Sequence, residues 1–171
     1  MMHTPALPFL ETFAARCGVR WRLRLRWSLA CVPPTVTDQQ KGARVLPGGR
    51  IHFYTKARVA QGRREWAAIL RGAREAFGRC IPDPVPVKVS LMIVYPWPKS
   101  TRESERMWYV PMTTYPDRDN IEKAIFDVMA GRWGYGLGFF EDDKQVAAGQ
   151  VSKWRGPEPG VRLSIWEGKV P

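Results

Sequence analysis

A long alternation of apolar and charged residues fills the stretch VRWRLRLRWSLAC at positions 19–31. Successive side chains of a β-strand point to opposite faces, so a period of two over this length predicts a half-buried strand. The apolar residues are expected on one face, and the four arginines Arg20, Arg22, Arg24 and Arg26 on the other.

Two functions are open for this arginine face. Alternate strand residues repeat at about 6.6 Å, close to the phosphate spacing of an extended nucleic-acid strand, so the arginines could follow a phosphate backbone. The alternative is a solvated face, or a charged edge that discourages aggregation.

Further strands and two helices are predicted from the remaining patterns. They are a hairpin over residues 43–55, a helix from Thr55 to about residue 79, strands at 87–95, 144–154 and 161–167, and a second helix at 120–131. Strands and helices do not alternate regularly, so we predict an α+β fold: a single small domain in which two main helices pack on one mixed or antiparallel curved sheet. Residues 1–18 are predicted as a leading segment, a short helix or disordered, and residues 19–171 as the domain.

A long connection at residues 96–116 precedes the second helix and is rich in proline, aromatic and charged residues. Connections of this length inside a compact domain are uncommon, and they are usually functional or mobile. It is therefore either a flap that contacts a substrate or a disordered surface loop.

The excess positive charge lies in the first half of the chain. Residues 1–80 contain 15 Lys/Arg and 4 Asp/Glu, whereas residues 81–171 contain 12 of each, and the formal net charge is +11. This distribution predicts an anionic partner, and we expect nucleic acid. Seven of the 16 acidic residues nevertheless lie between positions 117 and 143. A protein that only bound DNA would gain nothing from them, whereas a metal-dependent enzyme acting on nucleic acid would need them.

The cysteines and histidines predict neither a disulfide framework nor a zinc site. Cys17, Cys31 and Cys80 are odd in number and far apart, and His3 and His52 each stand alone. We therefore expect a reduced, cytoplasmic protein. No stretch is apolar for the length of a bilayer, and the first twenty residues lack the basic leader of a signal peptide.

Acidic residues cluster around the start of the second helix, in YPDRDNIEKAIFDVM. One explanation is ordinary, because Asp119 at the N-cap and Glu122 three residues later would form a capping box. Asp117 would precede that cap and is not explained by it. Asp119, Lys123 and Asp127 share one polar face opposite an apolar stripe, and the last two could pair across one turn.

A second acidic run, Glu141-Asp142-Asp143, follows two aromatic residues and precedes a strand. Two acidic turns at the ends of elements can converge on a cation. Carboxylate donors without histidine or cysteine nearby favour Mg²⁺ or Mn²⁺. Such ions clamp a scissile phosphate and lower the pKa of an attacking water, and Lys123 could stabilise transition-state charge.

Together the two acidic segments resemble the signature of the RusA-type Holliday junction resolvases, the crossover junction endodeoxyribonucleases of bacteria and prophages. The signature is D-x-D-N-x-x-K-A-x-x-D, followed by an aromatic-flanked D-D-x-Q-V. It is present here at residues 117–127 and 139–146. A strand followed by Pro33-Pro34 also looks like the opening of that family.

The resemblance implies a Mg²⁺-dependent homodimer that cuts two strands symmetrically at a DNA four-way junction. We expect Mn²⁺ to substitute for Mg²⁺. It implies metal-binding carboxylates at Asp117, Asp119 and Asp143 with Asp142 assisting, a catalytic Lys123, and supporting positions at Asn120 and Asp127. For DNA contacts we predict Arg20, Arg22, Arg24, Arg26, Lys41, Arg44 and Arg118.

Two alternatives remain open. A related nuclease could keep the metal site but cut flaps, forks or damaged duplex. A catalytically silent junction-binding protein could use the acidic residues only as helix caps.

Overall fold

The computed structural model describes residues 18–35, 41–55, 57–131 and 136–169. Residues 1–17 of the predicted leading segment therefore lie outside the described part of the chain. In chain order the elements are β1 (Arg20–Ala30), β2 (Lys41–Val45), β3 (Ile51–Thr55), α1 (Ala57–Phe77), β4 (Val87–Tyr95), β5 (Val110–Pro111), α2 (Arg118–Met129), β6 (Val146–Arg155) and β7 (Gly160–Lys169). Two 3₁₀ turns cover Glu103–Glu105 and Asp143–Gln145.

Five strands form one mixed sheet in the order β1-β7-β4-β6-β5, and β2 and β3 form a separate antiparallel hairpin. Strands β4 and β6 are parallel and are connected through α2, whereas the other neighbours in the sheet are antiparallel. The predicted α+β class is confirmed, and the predicted strands and hairpin agree with the structure to within a few residues.

Both helices cover one face of this sheet with apolar side chains. Fully buried members of the core include Trp66 and Leu70 from α1, Ile121 and Ile125 from α2, and Leu91, Ile93, Leu163 and Ile165 from β4 and β7. Burying one such side chain contributes about 1.5–3 kcal/mol, so this layer fixes α2 against the sheet.

The predicted arrangement of β1, with all four arginines on one face, is wrong. Leu23 pairs with Trp166 and Leu25 with Ile165, so Arg24 is an extra residue in a β-bulge. Because adjacent partners on β7 point to opposite faces, the bulge reverses the alternation. Leu25 is buried in the core, whereas Leu23 is 44% exposed.

The long connection at residues 96–116 contains secondary structure of its own. It contains the first 3₁₀ turn and then β5, which pairs with β6 at the sheet edge. Among the described helices, none is long and apolar enough to cross a membrane.

Candidate functional site

Helix α2 begins two residues earlier than predicted, at Arg118, so Asp117 rather than Asp119 is at the N-cap. The capping-box explanation for Asp119 and Glu122 is therefore wrong, since both lie inside the helix. The Asp117 side chain caps no backbone N–H of the helix. Its carboxylate instead accepts a hydrogen bond from Nδ2 of the buried Asn120 at 3.5 Å.

The second acidic segment is fixed by buried aromatic residues in front of it and a buried glutamine behind it. Phe139 and Phe140 are fully buried, and the Phe139 ring packs 5.2 Å from that of Phe77. The Gln145 Nε2 donates to the carbonyl oxygens of Pro82 and Val85, each at 3.0 Å. The glutamine of the D-D-x-Q-V signature thus ties the acidic turn to the loop that leads into β4.

One open cavity of about 570 Å³ brings the two acidic segments together. Asp119 and Lys123 line it from α2, and Asp143 lines it from the 3₁₀ turn before β6. Glu122 also lines it, and sequence reasoning assigned that residue only to a cap. The sequence could have indicated that Glu122 lies beside Asp119, because residues three apart are neighbours on a helix surface.

Two other predicted ligands lie outside this cavity. Asp142 accepts a hydrogen bond from the Lys144 backbone N–H at 3.2 Å, and its own N–H donates to Gln145 Oε1 at 2.9 Å. This capping box places Asp142 on a neighbouring cavity, which Asp83 and Glu141 also line. Asp117 is not among the residues lining either cavity.

Lys123 belongs to an ion-pair cluster that joins the two helices. Its Nζ lies 3.4 Å from Asp127 Oδ1, as the i,i+4 spacing predicts, and Arg63 Nη2 from α1 lies 3.1 Å from Asp127 Oδ2. Asp127 is 13% exposed and Arg63 21%, whereas Lys123 is 61% exposed. The half-buried Arg63–Asp127 pair therefore anchors the base of the cluster, and the lysine ammonium remains accessible at the cavity.

Two basic residues on β6 fix the segment that leads to Asp117, and sequence reasoning did not find them. Lys153 Nζ donates to the carbonyl oxygens of Thr114 and Pro116, both at 2.6 Å. Arg155 donates to Thr114 Oγ1 at 3.2 Å. A lysine and an arginine in a strand give no sequence signal for such a role, because their partners are backbone and hydroxyl oxygens about 40 residues away.

The predicted DNA-contacting residues do not form one surface. Arg22 and Arg24 both bind the Glu167 carboxylate, at 2.7 and 2.5 Å, and Arg24 also lies over the Phe77 ring. These contacts hold the pKa of Glu167 below its usual value. Arg20 and Arg22 line a separate cavity at the end of β1 and β7, and Arg26 is exposed on the opposite face of the sheet from Arg22.

The remaining three predicted DNA contacts lie on other elements. Arg44 is exposed on β2, and Arg118 is exposed at the start of α2. Lys41 begins β2, and its side chain lies outside the described part.

The chemistry of the first cavity fits a hard divalent cation. Among the described residues, no group of three or more acidic, histidine or cysteine side chains is placed to hold a metal ion. Mg²⁺ does not need such a cage, because it usually takes one or two carboxylates and completes its shell with water and substrate phosphate. Asp119 and Asp143 supply two carboxylates, and no thiol or imidazole lines the cavity with them.

Comparisons with known proteins identify the family of this chain. A family model described as endodeoxyribonuclease RusA matches residues 32–166, which is most of the chain. The chain is also 24% identical over 131 residues to the crossover junction endodeoxyribonuclease rusA of Lactococcus phage r1t, covering 77% of this chain and 88% of that protein. The protein is therefore an enzyme of the endodeoxyribonuclease class. Within that class, the chain belongs to the RusA family, as its signature predicts.

Proposed function

We propose that this chain is a Mg²⁺-dependent endonuclease that acts as a homodimer and resolves Holliday junctions by paired, symmetric nicks. The observation that supports it most is the shared cavity, in which Asp119 and Asp143 come from separate acidic segments and Lys123 lies beside them. The family and the named activity of the phage relative support the same substrate.

In this mechanism the carboxylates of Asp119 and Asp143 would hold the cation, and Glu122 adds a third negative charge to the cavity. When bound, Mg²⁺ would supply an activated water and neutralise charge on the scissile phosphate. The Lys123 ammonium donates to a non-bridging phosphate oxygen as negative charge develops there. Asn120 keeps the Asp117 carboxylate in place at the helix start, and Asp117 as a further ligand stays a prediction.

The decisive experiment compares cleavage of a four-way junction in Mg²⁺ by wild type, D119N and E141Q. We expect D119N to lower the cleavage rate by about 100-fold or more, because it removes a charged ligand of the cation. E141Q is the matched control, since Glu141 is exposed and lines the other cavity. Junction binding in EDTA should be unchanged in both variants. Equal cutting by wild type and D119N would remove Asp119 from the mechanism.

The substrate and the assembly are tested separately. Parallel assays on three-way junctions, flaps and linear duplex would show faster cutting of the four-way junction if the proposal holds. Faster cutting of flaps or forks would show that the enzyme uses the same metal site on a different substrate. Sedimentation of the protein alone should give twice the mass of one chain, since two sites are needed for paired nicks.

A further inference from the structure

The hairpin formed by β2 and β3 stands apart from the rest of the described structure. Its strands pair with each other and not with the five-stranded sheet. Every residue between Ala43 and His52 is exposed except Leu46, which is half-buried. A single two-stranded hairpin is at best marginally stable in water. Between Ala43 and His52 this one presents both of its faces to solvent, and an external partner would stabilise it.

The two faces of the hairpin differ in chemistry. Val45 pairs with Ile51, and Arg44 pairs with His52, so the aliphatic pair and the basic pair lie on opposite faces. Val45 is 72% exposed and Ile51 62%. The turn is closed by the Leu46 N–H, which donates to the Arg50 carbonyl at 2.8 Å. The tip is therefore a short aliphatic ridge with arginines beside it.

The charge around this ridge identifies the kind of partner. No acidic residue occurs between positions 39 and 64, a range that contains seven Lys/Arg. Two copies of such a hairpin would repel each other, whereas a polyanion would be attracted. Phosphates, however, give no favourable contact to two exposed aliphatic side chains. Apolar side chains bind DNA where they insert between bases and unstack them, at a cost of a few kcal/mol per base step. We expect this cost to be lower at a branch point than in continuous duplex, because base stacking is interrupted there.

We propose that the tip of this hairpin, residues 44–51, inserts into the branch point of the DNA substrate and places Val45 and Ile51 against unstacked bases. Arg44 and Arg50 neutralise the phosphates on either side of the opening. The proposal rests on the proposed function for its substrate, since it requires DNA with a branch.

The test uses a four-way junction with 2-aminopurine at the branch point, whose fluorescence rises when the base unstacks. All measurements are made in EDTA, so they report binding without cleavage. Wild type is expected to raise the fluorescence, and V45S/I51S to abolish the rise and weaken junction binding by about tenfold. Binding of V45S/I51S to linear duplex should be unchanged. R44Q/R50Q is the matched control, and it should weaken binding to both DNAs and reduce the dependence on salt.

Other results would overturn the proposal. An unchanged fluorescence rise with V45S/I51S, or an equal loss of affinity for junction and duplex, would exclude insertion. A shift of V45S/I51S from dimer to monomer in sedimentation would assign the ridge to a subunit contact instead. V45A/I51A, checked by circular dichroism, repeats the test with a smaller change. A chain that binds and unstacks the junction but never cuts it would leave insertion standing while the proposed function fails.

Discussion

Asp142 and Asp143 are adjacent in the sequence but perform different tasks. The Asp142 side chain caps the 3₁₀ turn by accepting from the Lys144 N–H, whereas Asp143 lines the cavity with Asp119. The reason is local, because neighbouring residues of a tight turn point in different directions. Asp143 is therefore the member of the D-D pair that shares a cavity with Asp119 and Lys123.

This difference predicts opposite phenotypes for two matched substitutions. D143A should lower junction cleavage by about 100-fold or more, with little change in the free energy of unfolding. D142A should leave cleavage within a few-fold of wild type and lower the free energy of unfolding by about 1 kcal/mol, because the capping acceptor is removed. Single-turnover cleavage and urea denaturation measure the two effects. Loss of cleavage in D142A without loss of stability would instead favour metal binding by Asp142.

A second residue-level prediction concerns Asp127, which bridges Lys123 and Arg63. D127N removes the charge that holds the lysine side chain, so the single-turnover rate should fall by about tenfold while junction affinity in EDTA is kept. D127E should restore part of the rate, because the longer carboxylate can still reach both partners. R63Q is the comparison variant, since it removes the contact to α1 and leaves the Lys123–Asp127 pair intact. A wild-type single-turnover rate in D127N would show that Lys123 does not need the Asp127 carboxylate to hold it in place.

At the scale of elements, a β-bulge at the start of β6 shapes the cavity. Val87 pairs with Val146 but Lys88 pairs with Ala148, so Ala147 is the extra residue. Gly149 follows with a φ of +130°, and a Cβ at that position would lie 1.7 Å from the Val89 carbonyl oxygen. Only glycine allows the two parallel strands to approach here. Bulges bend a strand, and this one lies directly after the turn that contains Asp143.

We therefore predict that G149A is strongly destabilising, by about 2–4 kcal/mol, because β6 must move away from β4. G78A is the matched control, since Gly78 also has a positive φ, of +79°, but has no atom within 4 Å of its would-be Cβ. It should cost about 1 kcal/mol. Urea denaturation of the three proteins compares them. Equal stability of G149A and G78A would mean that the strands tolerate a side chain at this contact.

At the scale of the whole molecule, Glu167 joins β1 and β7, which are neighbours in the sheet but are the first and last of the described strands in chain order. Its carboxylate binds Arg22 and Arg24 across the β1–β7 pair, and these hydrogen bonds lower its pKa from the usual 4.5. A carboxyl with a depressed native pKa stabilises the fold above its unfolded pKa. That stabilisation is lost as the pH falls through the native pKa.

E167Q should therefore be less stable than wild type at pH 7, by about 1 kcal/mol at most, because the pair is partly exposed. The difference should shrink as the pH falls below 4.5. Urea denaturation of both proteins at pH 7, 4.5 and 3 measures it. A difference that stays constant over this range would show that the glutamine disturbs packing rather than charge.

The sequence by itself determined the elements and the family. The 3.6-residue period of α2 predicts its buried stripe, and the two acidic segments give the RusA signature. Both can be derived from the sequence because local geometry and side-chain chemistry depend directly on the order of the residues. The tertiary structure decided the rest. The bulge at Arg24, the meeting of Asp119 and Asp143 in one cavity, and the anchoring of Thr114 and Pro116 by Lys153 all depend on partners far along the chain. A pattern of residues does not show which distant carbonyl or strand will meet a side chain, because that follows only from how the sheet and helices pack.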